Sequence, residues 1–185
     1  MTFIRLLLVI LPMLMIPMEG ATLTFVNTTN GGLTFNYTGS VENNQQINAG
    51  DYVVIFDFEG LVSGAGPANW TFSMQTDVVG QADDASVPDA IFTYNGSSIV
   101  GVPGGTSLGT FSLTGTYTAQ ANGSFLIQST RSSGGNAGQP VLETGAIVVA
   151  DNASAVPEPS AVILMAGGLL FLGLTSARIP RRRSV

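Results

Sequence analysis

The chain has 185 residues, 45% of them hydrophobic, with twelve acids against six arginines and a formal net charge of −6. It has no cysteine, histidine or lysine, which removes disulfides, thiol nucleophiles, Ser-His-Asp triads, His/Cys zinc sites, histidine pH switches and Schiff-base chemistry. Five of the six arginines sit in the two ends, so residues 21–156 carry Arg131 against ten acids, a net of −9, which disfavours nucleic acid or an anionic membrane surface as a partner of that stretch.

Residues 1–20 have the layout of a signal peptide. Arg5 is a positive start, Leu6 to Ile16 an apolar run broken by Pro12, and Gly20 a small residue before Ala21. Met18 fits the minus-three position of a cleavage site poorly, and an uncleaved signal anchor is the alternative. Either way the chain from Ala21 onward is expected to be exported.

The stretch 21–152 is long enough for one domain with its own core. Leu23 to Val26 and Leu33 to Tyr37 flank Asn30-Gly31-Gly32, a turn composition that predicts a hairpin. Gly39 to Gly50 has no periodicity and reads as a loop. Asp51 to Glu59 reads as a strand with Tyr52, Val54, Phe56 and Phe58 on the buried face. Asn69 to Asp77 follows as a half-buried strand carrying Trp70, Phe72 and Met74. Ile91 to Tyr94, Ser97 to Val102 and Leu108 to Thr118 are further strands, the last with hydroxyls opposite Phe111, Leu113 and Tyr117. Asn122-Gly123 marks a turn before a strand from Ser124 to Thr130, and Ile147-Val148-Val149 supplies the last strand. Seven to nine short strands with Gly, Asn and Pro turns, and no amphipathic helix between them, predict an all-β antiparallel sandwich or jelly-roll-like domain.

Three groups of side chains invite a chemical reading. Asp83, Asp84 and Asp89 fall within seven positions and would bind calcium if backbone carbonyls completed the coordination, although the glycine and terminal glutamate of an EF-hand loop are missing. A solvated acidic loop is the alternative. Asp57 and Glu59, on one strand face, would lie roughly 6.6 Å apart, within the range of glycoside hydrolase carboxylates. Two solvated acids at a sheet edge is the plainer reading. Trp70 and Tyr94, with Tyr37, Tyr52 and Tyr117, would offer stacking faces to sugars if exposed, and pack the core if not. Six Asn-x-Ser/Thr sequons, at Asn27, Asn36, Asn69, Asn95, Asn122 and Asn152, follow from composition.

The end of the chain changes character. Residues 153–160 are a linker containing Pro157-Glu158-Pro159, which favours an extended backbone. An uncharged apolar run from Ala161 to Ala177 follows, then a basic tail, 178–185, with Arg178, Arg181, Arg182 and Arg183. As a helix the run would reach about 25 Å, slightly under the roughly 30 Å of a hydrocarbon core, and the arginines would stop it at the cytoplasmic side. A core helix of a soluble domain is the alternative.

This order, Pro-Glu-Pro, apolar helix and basic tail, resembles the PEP-CTERM sorting signal of exported Gram-negative bacterial proteins, over about the last 30 residues. The resemblance implies that Pro157, Glu158 and Pro159 are the recognition motif of an exosortase, that 161–177 is a temporary transmembrane helix, and that the four arginines are the membrane stop. It further implies an inner-membrane-anchored precursor whose mature form sits at the cell surface or in the extracellular matrix, associated with exopolysaccharide or biofilm. The expected function is therefore that of a non-catalytic exported protein; a carbohydrate-binding module and a secreted carboxylate-dependent glycoside hydrolase are the alternatives.

Overall fold

The computed structural model describes residues 20–76 and 84–152. Eleven strands run through them: β1 (Thr22–Thr29), β2 (Thr34–Val41), β3 (Gln45–Ile47), β4 (Tyr52–Ile55), β5 (Leu61–Ala65), β6 (Trp70–Gln75), β7 (Asp89–Tyr94), β8 (Ile99–Val100), β9 (Thr106–Gly115), β10 (Ala119–Arg131) and β11 (Pro140–Asp151). All their ladders are antiparallel. One sheet has the order β1-β2-β9-β5; the other runs β6-β7-β4-β10-β3-β8, with β11 paired along the free side of β10. This is the all-β sandwich that the strand pattern predicts.

The inner faces share one core. Phe35, Tyr37, Phe111 and Leu113 from the first sheet meet Val53, Ile55, Phe92 and Ile127 from the second, all fully buried. Edge-on rings lock the layers: Phe92 lies 5.0 Å from Phe111, and Phe35 lies 5.1 Å from Phe58. The hairpin at Asn30-Gly31-Gly32 forms as expected, because all three residues take positive φ, the conformation that Asn and Gly tolerate best.

Several expectations are corrected. The stretch from Gly39 to Gly50 is not a loop throughout, since β2 extends to Val41 and β3 pairs with β8 and β10. Its alternation was masked by Gln45, a buried polar residue paid for by hydrogen bonds. β4 stops at Ile55 instead of reaching Glu59, and its faces are the reverse of those predicted. Val53 and Ile55 enter the main core, while Val54 and Phe56 join Leu126 in a second buried cluster on the opposite face. Asp57 then takes φ 53°, which breaks the alternation and returns Phe58 to the main core.

Asn122-Gly123 is not a turn either. Both residues lie inside the 13-residue β10, opposite Val148 and Ile147.

The expected transmembrane helix, and with it the inner-membrane-anchored precursor, is also corrected. No helix among the described residues is long and apolar enough to cross a membrane. The run 161–177, Pro157 to Pro159, and Arg178, Arg181, Arg182 and Arg183 lie outside the described residues, and membrane anchoring is withdrawn.

Candidate functional site

The first sheet turns a face of hydroxyls and amides outward. Strand alternation puts Phe35, Tyr37, Phe111 and Leu113 inside, which leaves Thr34, Asn36, Thr38, Thr110, Ser112 and Thr114 outside. Register aligns them into rows: Thr29, Thr34, Thr114 and Ser63 across all four strands, then Asn27, Asn36 and Ser112, then Thr24, Thr38 and Thr110.

Hydrogen bonds tie the rows together. The Ser112 hydroxyl donates to Asn36 Oδ1 at 2.7 Å, and Asn36 Nδ2 donates to Asn27 Oδ1 at 3.0 Å. The hydroxyls of Thr34 and Thr114 are 3.2 Å apart, those of Thr22 and Ser40 2.8 Å. The result is a polar surface whose groups are held in place by the ladder beneath them, with spare acceptor and donor capacity toward solvent.

Tyr117 follows the end of β9 by two residues and is 40% exposed. Its ring lies against Gly60, where a methyl group would come within 2.7 and 2.8 Å of two ring carbons. Gly60 takes φ +65°, and its lack of a side chain is what makes room for the ring.

An acidic cleft of about 290 Å³ lies at an end of the sandwich, lined by Asp57, Glu59, Asp84 and Asp151 with Asn122 and Val149. Asp57 and Glu59 do not share a strand face, because β4 has already ended and Asp57 is in the left-handed region. Asp57 Oδ1 accepts the Asp84 N–H at 3.1 Å, and the Asp57 N–H donates to Asp89 Oδ1 at 2.9 Å. The Glu59 N–H donates to the Ala150 carbonyl.

The residues expected to hold calcium are split. Asp83 lies outside the described residues; Asp84 is exposed, and Asp89 is fully buried beneath Asp57. The hydroxyl of Ser86 and then its N–H bond Asp84 Oδ1 and hold that carboxyl below the usual range. Among the described residues no group of three or more acids is placed to hold a metal ion.

Trp70 and Tyr94 are brought together, but inside. Trp70 is 8% exposed, its ring 5.1 Å from Tyr94 and 5.0 Å from Phe111. The Tyr94 hydroxyl donates to the Ser97 carbonyl at 2.6 Å. Neither ring offers a face to a sugar, and the expected contact through them is corrected: opposite each other on β6 and β7, both point into the core.

Sequence reading missed a buried polar group. Gln45 accepts the Ala21 N–H and the Ser129 hydroxyl on Oε1, both at 3.0 Å, and donates from Nε2 to Glu143 Oε1 at 2.7 Å. Its one signal was a glutamine two residues before the core residue Ile47.

No family model matches the chain, and no curated protein matches it. Among solved structures it is similar to the cohesin module from Clostridium perfringens ATCC13124 family 33 glycoside hydrolase, at 10% identity over 71% of this chain and 96% of that one, with a TM-score of 0.39.

Proposed function

We propose that this chain is a non-catalytic, exported binding module that holds a neutral polysaccharide on the outer face of the β1-β2-β9-β5 sheet. The observation that supports this reading most is the registered array of Thr, Ser and Asn side chains, continuous across strands, with the exposed ring of Tyr117 two residues beyond the end of β9. Hydroxyls and amides match the donor and acceptor pattern of sugar hydroxyls, and an aromatic face stacks on the apolar face of a sugar ring. The net negative charge of the domain disfavours anionic glycans.

Affinity electrophoresis through gels containing a neutral β-glucan or anionic alginate tests the proposal. Retardation by the glucan, reduced about five- to twelvefold in apparent affinity by Tyr117→Ala, is expected, since losing a stacked ring costs about 1–1.5 kcal/mol. Equal migration of parent and variant in both gels would sink it. On the sequence motif alone we further propose an exosortase as the processing partner. Mass spectrometry of the product should then place its C-terminus between Pro157 and Ser160.

A further inference from the structure

The polar group around Gln45 leaves one buried carboxylate oxygen without a hydrogen-bond partner. Ala21 is buried, and its backbone N–H is bonded to the side chain of Gln45, itself only 4% exposed. Glu143 lies on the other side of Gln45. Its Oε1 takes the Gln45 amide, while its Oε2 is buried without a hydrogen-bond partner. A methyl group on Gly20 would overlap the Glu143 carboxylate, so that carboxylate lies against the Gly20 α-carbon, two bonds from the Ala21 nitrogen. Only one cationic side chain, Arg131, occurs among the described residues, so Glu143 has few sources of countercharge. Burying a carboxylate oxygen with no bond to it is costly, and a cation beside it would remove that cost.

We propose that Gln45, Ser129 and Glu143 form a receptor for the α-ammonium group that appears at Ala21 when residues 1–20 are removed. The inference rests on the leader reading of those residues and is independent of any polysaccharide site. An external signal-type peptidase hydrolyses the Gly20–Ala21 bond. The water oxygen stays on the Gly20 carbonyl, which departs with the leader as a carboxylate, and the Ala21 nitrogen gains two protons to become an ammonium group. One N–H of that group keeps the bond to Gln45 Oε1, and a second is offered to Glu143 in the space Gly20 leaves. Ser129 fixes the Gln45 amide in the orientation that presents its oxygen. Removal of the leader thereby completes the fold, because it creates the partner that Glu143 lacks.

The absence of lysine makes a direct test available, since the α-amine is the only primary amine in the processed chain. Export of the full chain should yield a product whose N-terminus, by mass spectrometry, is Ala21. An acetylating ester should modify that amine about 100-fold more slowly in the folded protein than in urea, reflecting an ammonium stabilised by its partner. Protein acetylated in urea and refolded should melt about 5 °C below the unmodified protein, whereas in Glu143→Gln the same acetylation should shift the melting point by less than about 1 °C. A different N-terminus, a folded amine that reacts within about threefold of the unfolded one, or an equal acetylation penalty in parent and Glu143→Gln would each overturn the proposal. The reactivity comparison needs only the parent protein, so the test stands even if Glu143→Gln does not fold.

Discussion

Tyr37 of β2 reaches across the sandwich and donates its hydroxyl to the Val148 carbonyl of β11 at 3.0 Å. The two strands belong to different sheets, so this bond ties the layers together beside the packing of Phe25 on the same ring. Burial of the phenol pushes its pKa far above the usual tyrosine value.

Tyr37→Phe should therefore destabilise the domain by about 1–3 kcal/mol, because the Val148 carbonyl loses its donor. Urea unfolding measures the loss. The pH dependence follows from the raised folded-state pKa. The unfolded chain releases the Tyr37 proton near pH 10 while the folded chain keeps it, so the stabilising contribution is complete below about pH 10 and declines as pH rises beyond it. Stability measured from about pH 9 to 11.5 should fall more steeply in the parent than in Tyr37→Phe. Parallel profiles would show that the phenol does not resist ionisation in the fold.

Gly123 tests why an Asn-Gly pair became the middle of a strand. Neither Asn122 nor Gly123 takes positive φ, and a methyl group on Gly123 would come within 2.8 Å of both Val149 γ-carbons. The glycine is kept for close approach to β11, not for turning. Gly123→Val should cost about 1–3 kcal/mol through overpacking, despite valine's higher strand propensity. An increase in melting temperature would show that β11 has room to move away.

These two positions show what the sequence discloses and what it does not. Strand positions and turns depend on local chemistry, so the Asn30-Gly31-Gly32 hairpin and the alternation of β9 were legible. Which face of β4 meets the main core depends on pairing with β7 and β10, far away in sequence, and with apolar residues on both faces the aromatic one was the wrong choice. Trp70 and Tyr94 were legible as aromatic residues, but Trp70 is buried against the opposing Phe111 and Tyr94 against Trp70. The outer hydroxyl face was visible strand by strand; its rows needed the register. Gln45, Ser129 and Glu143 meet across 98 positions of chain, and nothing local marks them.

Gly60→Ala probes the platform under Tyr117. The added methyl meets the Thr116 hydroxyl and the Tyr117 ring, and the residue must keep a positive φ. Thermal unfolding should show a loss of about 1–2 kcal/mol, and glucan retardation should weaken because the ring is displaced. Retained affinity alongside reduced stability would remove Tyr117 from the binding surface.

Asp57 carries a backbone cost that a pair of substitutions isolates. Its φ of 53° is left-handed, a region that aspartate enters more readily than alanine and glycine enters most readily of all. Asp57→Ala and Asp57→Gly both delete the carboxylate, with its bond from the Asp84 N–H and every other contact it makes, so those losses cancel in the comparison. What is left is mainly the conformational term: alanine must be forced into the left-handed region, and glycine need not be. The glycine variant should be more stable than the alanine variant by about 1 kcal/mol in urea unfolding, even though glycine gives the unfolded chain more freedom. If alanine equalled or exceeded glycine, residues 56–58 would have to adopt another path, and the return of Phe58 to the main core would need a different cause.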